Sequence, residues 1–177
     1  MDRSMYEFMR IGVVHPMAFP ACITGEGPIL ETVTQIAEDP FFNAIEVTWI
    51  HDDAVRAQVR EVLTTAGVRC AYAAQPAVLT QGLNPNSFDE DERAKAVAEL
   101  RASIDEAHEL GAGSMALLSG RDPGAERREE AFAVLARSLQ ELCDYGLTRD
   151  VAITLETFDR TIDRRALIGP SDDAVVV

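Results

Sequence analysis

The run Val151-Ala-Ile-Thr-Leu-Glu156 is apolar until it stops at a carboxylate, and the polar segment Thr157-Phe-Asp-Arg-Thr-Ile-Asp163 follows at once. A glutamate there sits where a metal ligand or an acid/base group belongs, because in parallel α/β barrels the reacting groups stand where strands end and loops begin. An unpaired carboxylate at the end of a buried strand is costly unless something binds it. Glu156 is therefore read as catalytic and as a metal ligand, with Arg160 as the neighbour that could satisfy it structurally instead. Other strand ends carry His15, Glu46 with Trp49–His51, and Gln75. A neutral imidazole with carboxylates suits a divalent cation of the Mn, Mg, Co or Zn kind. His15, Glu46, Trp49 and Arg160 are the candidate substrate contacts.

Each of these side chains has a plainer alternative. His15 precedes a proline and could cap a turn. Glu46 lies mid-strand and could be a hydrogen-bonded structural carboxylate. Trp49 could be core rather than a sugar platform. His51, before Asp52-Asp53, reads as a solvated helix start, and His108 lies within a helix. The HExxH, GxxxxGK[ST], GxSxG and GxGxxG patterns are absent, so the zincin, P-loop, hydrolase-elbow and dinucleotide readings lack their mechanical parts.

The elements that must position these groups alternate between strand-like and helix-like patterns. Apolar runs at Ile11–Val14, Ala44–Trp49, Val68–Ala74, Ser114–Leu118 and Val151–Glu156 read as strands. Helical spacing of apolar residues marks Pro28–Glu38, Asp52–Ala66, Asp89–Leu110 and about Glu126–Tyr145. Gln75–Phe88 reads as a long polar loop, and Ser171-Asp-Asp as the cap of a helix that barely begins. Crossovers of this length predict adjacent parallel strands in chain order. The 177 residues form a single domain by this reading. A complete (β/α)8 barrel needs about 250 residues, so the pattern predicts a barrel truncated after about five βα units.

Composition bounds the partners. The net charge is −14, with no basic patch to displace counterions from a phosphate backbone, which argues against nucleic acid and anionic membranes. The three cysteines, Cys22, Cys70 and Cys143, are widely spaced and lack a CxxC pair. They read as reduced thiols of a cytoplasmic protein. No apolar leader stands in Met1–Arg10, and no run approaches a membrane span.

Five pieces of sequence, in order, resemble a known family: His15 after the first strand, Ile45-Glu-Val47, the Leu83-Asn-Pro loop before Arg93 and Ala96, Ile104-Asp-Glu-Ala-His-Glu-Leu-Gly111, and Leu155-Glu-Thr-Phe-Asp-Arg160. Together they are similar to the sugar phosphate isomerase/epimerase superfamily. These xylose isomerase-like barrels also include ketose 3-epimerases, inosose dehydratases and endonuclease IV. The likeness covers the whole chain and the first five of eight βα steps. It implies a divalent metal held by a glutamate ending strand five and by an aspartate, a histidine and a glutamate from strands six to eight. Only Glu156 has a counterpart here. Glu156-x-x-Asp159-Arg160 resembles the Glu-x-x-Asn-Arg of ketose epimerases, with Asp159 in place of Asn. In those enzymes two metal-bound glutamates exchange a proton beside a carbonyl.

The resemblance thus implies metal-dependent isomerisation or epimerisation of a small-molecule sugar or polyol, with metal bound weakly or not at all by this chain alone. The alternative is a catalytically inactive split barrel that binds sugar or pairs with a second copy, since open sheet edges favour association. The apolar end Val175-Val176-Val177 would add to that tendency. An endonuclease reading conflicts with the charge.

Overall fold

The computed structural model of the protein describes residues 3–175. Its helices form where apolar residues recur on one face and where a side chain satisfies the first free N–H groups. Asp52 accepts from the N–H groups of Ala54 and Val55 and starts α3 (Asp53–Ala66). Asp89 does the same for Asp91 and Glu92 at the head of α5 (Glu90–Leu110). Capping of this kind contributes about 1 kcal/mol per helix. Both helices end on glycines in the left-handed region, Gly67 at φ 68° and Gly111 at φ 74°, where a side chain would be strained. The other long helices are α2 (Ile29–Ala37) and α6 (Arg128–Leu147). No helix among the described residues is long and apolar enough to cross a membrane.

Five strands, β1 (Gly12–Val14), β2 (Ala44–Val47), β3 (Arg69–Ala73), β4 (Ser114–Leu118) and β5 (Ala152–Glu156), form one sheet in the order β1-β2-β3-β4-β5. Every pairing is parallel, as the alternating pattern predicts. Alternation along the strands divides the sheet's faces. Ile45, Val47, Tyr72, Met115 and Leu117 are fully buried against Val33, Val59, Leu100, Ile104 and Leu142 of the helices. On the other face stand Ala44, Glu46, Ala71 and Ser114, half-buried, and Ala152 and Thr154, exposed. Successive helices α2, α3, α5 and α6 pack side by side outside the sheet. This is a partial (β/α) barrel, with helices outside and a half-open concave face.

Three local expectations differ from the structure. Gln75–Phe88 is not loop throughout: Gln75–Gln81 forms α4, with Pro76 in its first turn and Gly82 just past its end. Proline at the start and glycine after the end favour a helix, and burial of Ala77 and Val78 secures it. His15–Ala18 is the one-turn helix α1. Ser171–Ala174 forms the short turn α7, but no capping bond comes from a side chain. Of the terminal valines, Val175 is exposed, and Val176 and Val177 lie outside the described residues.

Candidate functional site

Parallel strands bring their C-terminal ends to one edge, and there Glu156 meets Gln75. Leu118 of β4 pairs in register with Glu156 of β5, and Gln75 is the first residue of α4, two beyond the end of β3. Gln75 Nε2 donates to Glu156 Oε2 at 2.6 Å. The other amide atom, Gln75 Oε1, is buried and has no partner among the described residues. A buried acceptor left unpaired costs about 1–3 kcal/mol.

Glu46 of β2 stands on the same concave face, with Val14 of β1 and Ala71 of β3 as its register partners. Burial pushes its carboxyl pKa up, and the Glu156 carboxylate pushes it further in the same direction. The folded state therefore holds the Glu46 proton more tightly than the unfolded chain. The stability this contributes is present below the ordinary value of 4.5 and is lost as pH rises through the raised one. Glu46→Gln is expected to be neutral below about pH 4 and stabilising above it. Solvent screening at this half-buried position keeps the gain below about 1 kcal/mol. Melting curves of both proteins across that range check it, and a gain that does not change with pH would contradict it.

The remaining candidates occupy different places. His15 lies at the same sheet edge, but its ring is buried, and Nε2 is paired with Thr32 Oγ1 at 2.8 Å. Burial lowers its pKa, which favours the neutral ring. Trp49 follows β2, half-buried; its indole donates to the Ile23 carbonyl at 2.8 Å and its ring lies 5.2 Å from that of His51. Arg160 donates to the Leu167 carbonyl at 2.8 Å and to Asp173, and its Nε lies 3.6 Å from Asp122. The structure thus gathers Glu46, Gln75 and Glu156. It commits Arg160 to the segment after β5.

Glu106 of α5 lies in the segment Ile104–Gly111 that carries the resemblance, but nothing in the sequence assigns it a role of its own. Its carboxylate accepts the N–H of Ile50 just after β2, and burial raises its pKa. It ties the Trp49 loop to the helix layer. In sequence it is one of several acids on a charged helix, and its contact with a strand end more than fifty residues away is what gives it a structural role.

Among the described residues, no three His, Cys, Asp or Glu side chains come together to hold a metal ion. Glu156 offers one carboxylate, and Glu46 faces it closely enough for the two charges to interact. These donors do not make a metal site by themselves.

Comparison with known proteins agrees with this architecture. The chain is similar to L-ribulose 3-epimerase, at 20% identity over 95% of this chain and 55% of that one, with a TM-score of 0.67. It is also similar to D-psicose 3-epimerase from Clostridium cellulolyticum H10, solved with D-tagatose, at 16% identity over 94% of this chain and 58% of that one, with a TM-score of 0.72. A third likeness is a xylose isomerase-like TIM barrel protein from Mycobacterium smegmatis in complex with magnesium: 20% identity, 85% and 53% coverage, TM-score 0.54. The chain thus spans a little over half the length of these structures. No curated protein sequence matches it. The model of the xylose isomerase-like TIM barrel family matches residues 35–164, from α2 through β5 and beyond. By that match the chain belongs to the xylose isomerase-like TIM barrel family.

Proposed function

We propose that this chain supplies the strand-five side of a site that isomerises or epimerises a sugar or polyol by moving a proton beside a carbonyl. The observation that carries the reading is the Gln75–Glu156 hydrogen bond at the C-terminal edge of the sheet, on the face that also presents Glu46. Glu156 is the proton-transferring carboxylate. The bond from Gln75 fixes its rotamer. Glu46 binds a substrate hydroxyl through its carboxylate oxygens. The half-open concave face of Ala44, Ala71, Ser114 and Ala152 offers small side chains and hence room for a ligand. The epimerase neighbours support a sugar as the ligand class.

Glu156 is also proposed as one ligand of a divalent cation, the others coming from outside the described residues. Titration calorimetry with Mn²⁺ on the 177-residue chain tests it. One fixed carboxylate predicts a dissociation constant on the order of millimolar, weakened further in Glu156→Gln. Equal binding by the two proteins would remove Glu156 as a ligand. Micromolar binding lost in Glu156→Gln would show that these residues already form a closed site.

A further inference from the structure

We propose that the wall of the cleft beside Glu156 carries an anion-recognition subsite, built by Arg121 and Arg164, for a phosphate or carboxylate group on the substrate. Its use in turnover rests on the function proposed above; anion binding itself does not.

A depression of about 430 Å³ opens at the end of β4, lined by Leu118, Ser119, Gly120, Arg121, Asp163 and Arg164 among others. Leu118 is the register partner of Glu156, so the depression lies one strand from the proposed reacting carboxylate.

Both arginines are held there by backbone lacing. The Asp159 carboxylate accepts the N–H groups of Ile162, Asp163 and Arg164 at 2.7, 2.8 and 2.9 Å, which fixes the turn that carries Arg164. The chain then runs antiparallel to the end of β4. Asp122 N–H donates to the Arg165 carbonyl at 2.8 Å, and Leu167 N–H donates to that of Gly120 at 2.9 Å. Arg121 bridges Ala166. Arg165 adopts φ 51° in this turn, a conformation that costs a residue with a side chain about 1 kcal/mol or more.

The charge pattern points to a ligand. In a chain of net charge −14, Arg121 is exposed and has no carboxylate within 4.0 Å among the described residues. Among the described residues Arg164 has only its chain neighbour Asp163, 3.4 Å away and 71% exposed. The second acid on the rim, Glu92, accepts the Ser87 hydroxyl at 2.8 Å. Two arginines carried on one wall, without a firm carboxylate partner among the described residues, can offer paired N–H groups to the oxygens of a phosphate or carboxylate.

The test is a titration of the full chain with inorganic phosphate and, separately, acetate, followed by the backbone amide NMR signals of residues 119–122 and 163–166. Saturable shifts at these amides are expected at millimolar anion. Arg121→Gln and Arg164→Gln should each weaken binding about fivefold, the loss of one charge-assisted contact. Asp163→Asn, which removes the competing carboxylate, should strengthen it. Tighter binding of phosphate than acetate assigns a phosphorylated substrate, and the reverse assigns a sugar acid. Glu156→Gln should leave the anion shifts in place, so failure of the catalytic reading would not be mistaken for failure here. All three subsite positions are exposed, so the variants are expected to fold. Shifts that do not saturate, or that ignore Arg121→Gln and Asp163→Asn alike, would overturn the proposal.

Discussion

Alanine at position 146 is expected to lower the unfolding free energy by about 2 kcal/mol, although alanine is the better helix former. Gly146 is buried in the last turn of α6, where the helix meets the chain entering β5. A Cβ there would lie 2.5 Å from the Val151 carbonyl oxygen and 3.4 Å from Ile153 Cδ1. The same glycine's carbonyl accepts the N–H of Val151 at 3.0 Å, so neither backbone can move away freely. Replacing a helical glycine gains about 1 kcal/mol, whereas overpacking a buried contact costs about 3 kcal/mol. The clash therefore wins. Because it falls at the head of the strand that ends in Glu156, the substitution should also disturb the Gln75 contact. Urea unfolding of the two proteins reads the first effect, and a variant as stable as the parent would show that helix and strand approach less closely than described.

The second large effect concerns turnover. In a barrel completed with the last three strands of a ketose 3-epimerase, Glu156→Gln should lower kcat about 10³-fold, the middle of the range for losing a positioned acid/base. Glutamine has the same shape, and its amide oxygen can still accept from Gln75 Nε2. Stability should therefore change little, and the loss would be chemical. An equal fall in kcat and stability would mark Glu156 as structural.

Much of the fold was legible because it rests on local rules. The strands are short, mostly apolar runs, and α3 and α5 carry aspartate caps and closing glycines that read directly. Helix α4 was hidden by its neighbours: Asn84, Pro85 and Asn86 colour the whole segment as loop, while Ala77 and Val78 are too short an apolar run to announce a helix. Glu156 was legible because a carboxylate at the end of an apolar strand is conspicuous. That Gln75 touches it was not, since their contact spans 81 positions of sequence. His15 illustrates the same limit, because its burial depends on Thr32, on a helix that packs beside it. Arg160 was read beside Glu156 on proximity in sequence, yet its partners Asp122, Leu167 and Asp173 come from turns that only the folded chain brings near. The Arg121 and Arg164 wall follows from the same antiparallel lacing, which leaves no periodic mark in the sequence.

The central claim is that Glu156 moves the proton beside the substrate carbonyl, and deuterium wash-in tests it most directly. The completed barrel is incubated with a ketose in D₂O, and proton NMR follows the hydrogen on the carbon next to the carbonyl. The account predicts enzyme-dependent loss of that signal with Glu156 present and none above background with Glu156→Gln, while circular dichroism shows both proteins folded. Wash-in that continues undiminished in Glu156→Gln would contradict it.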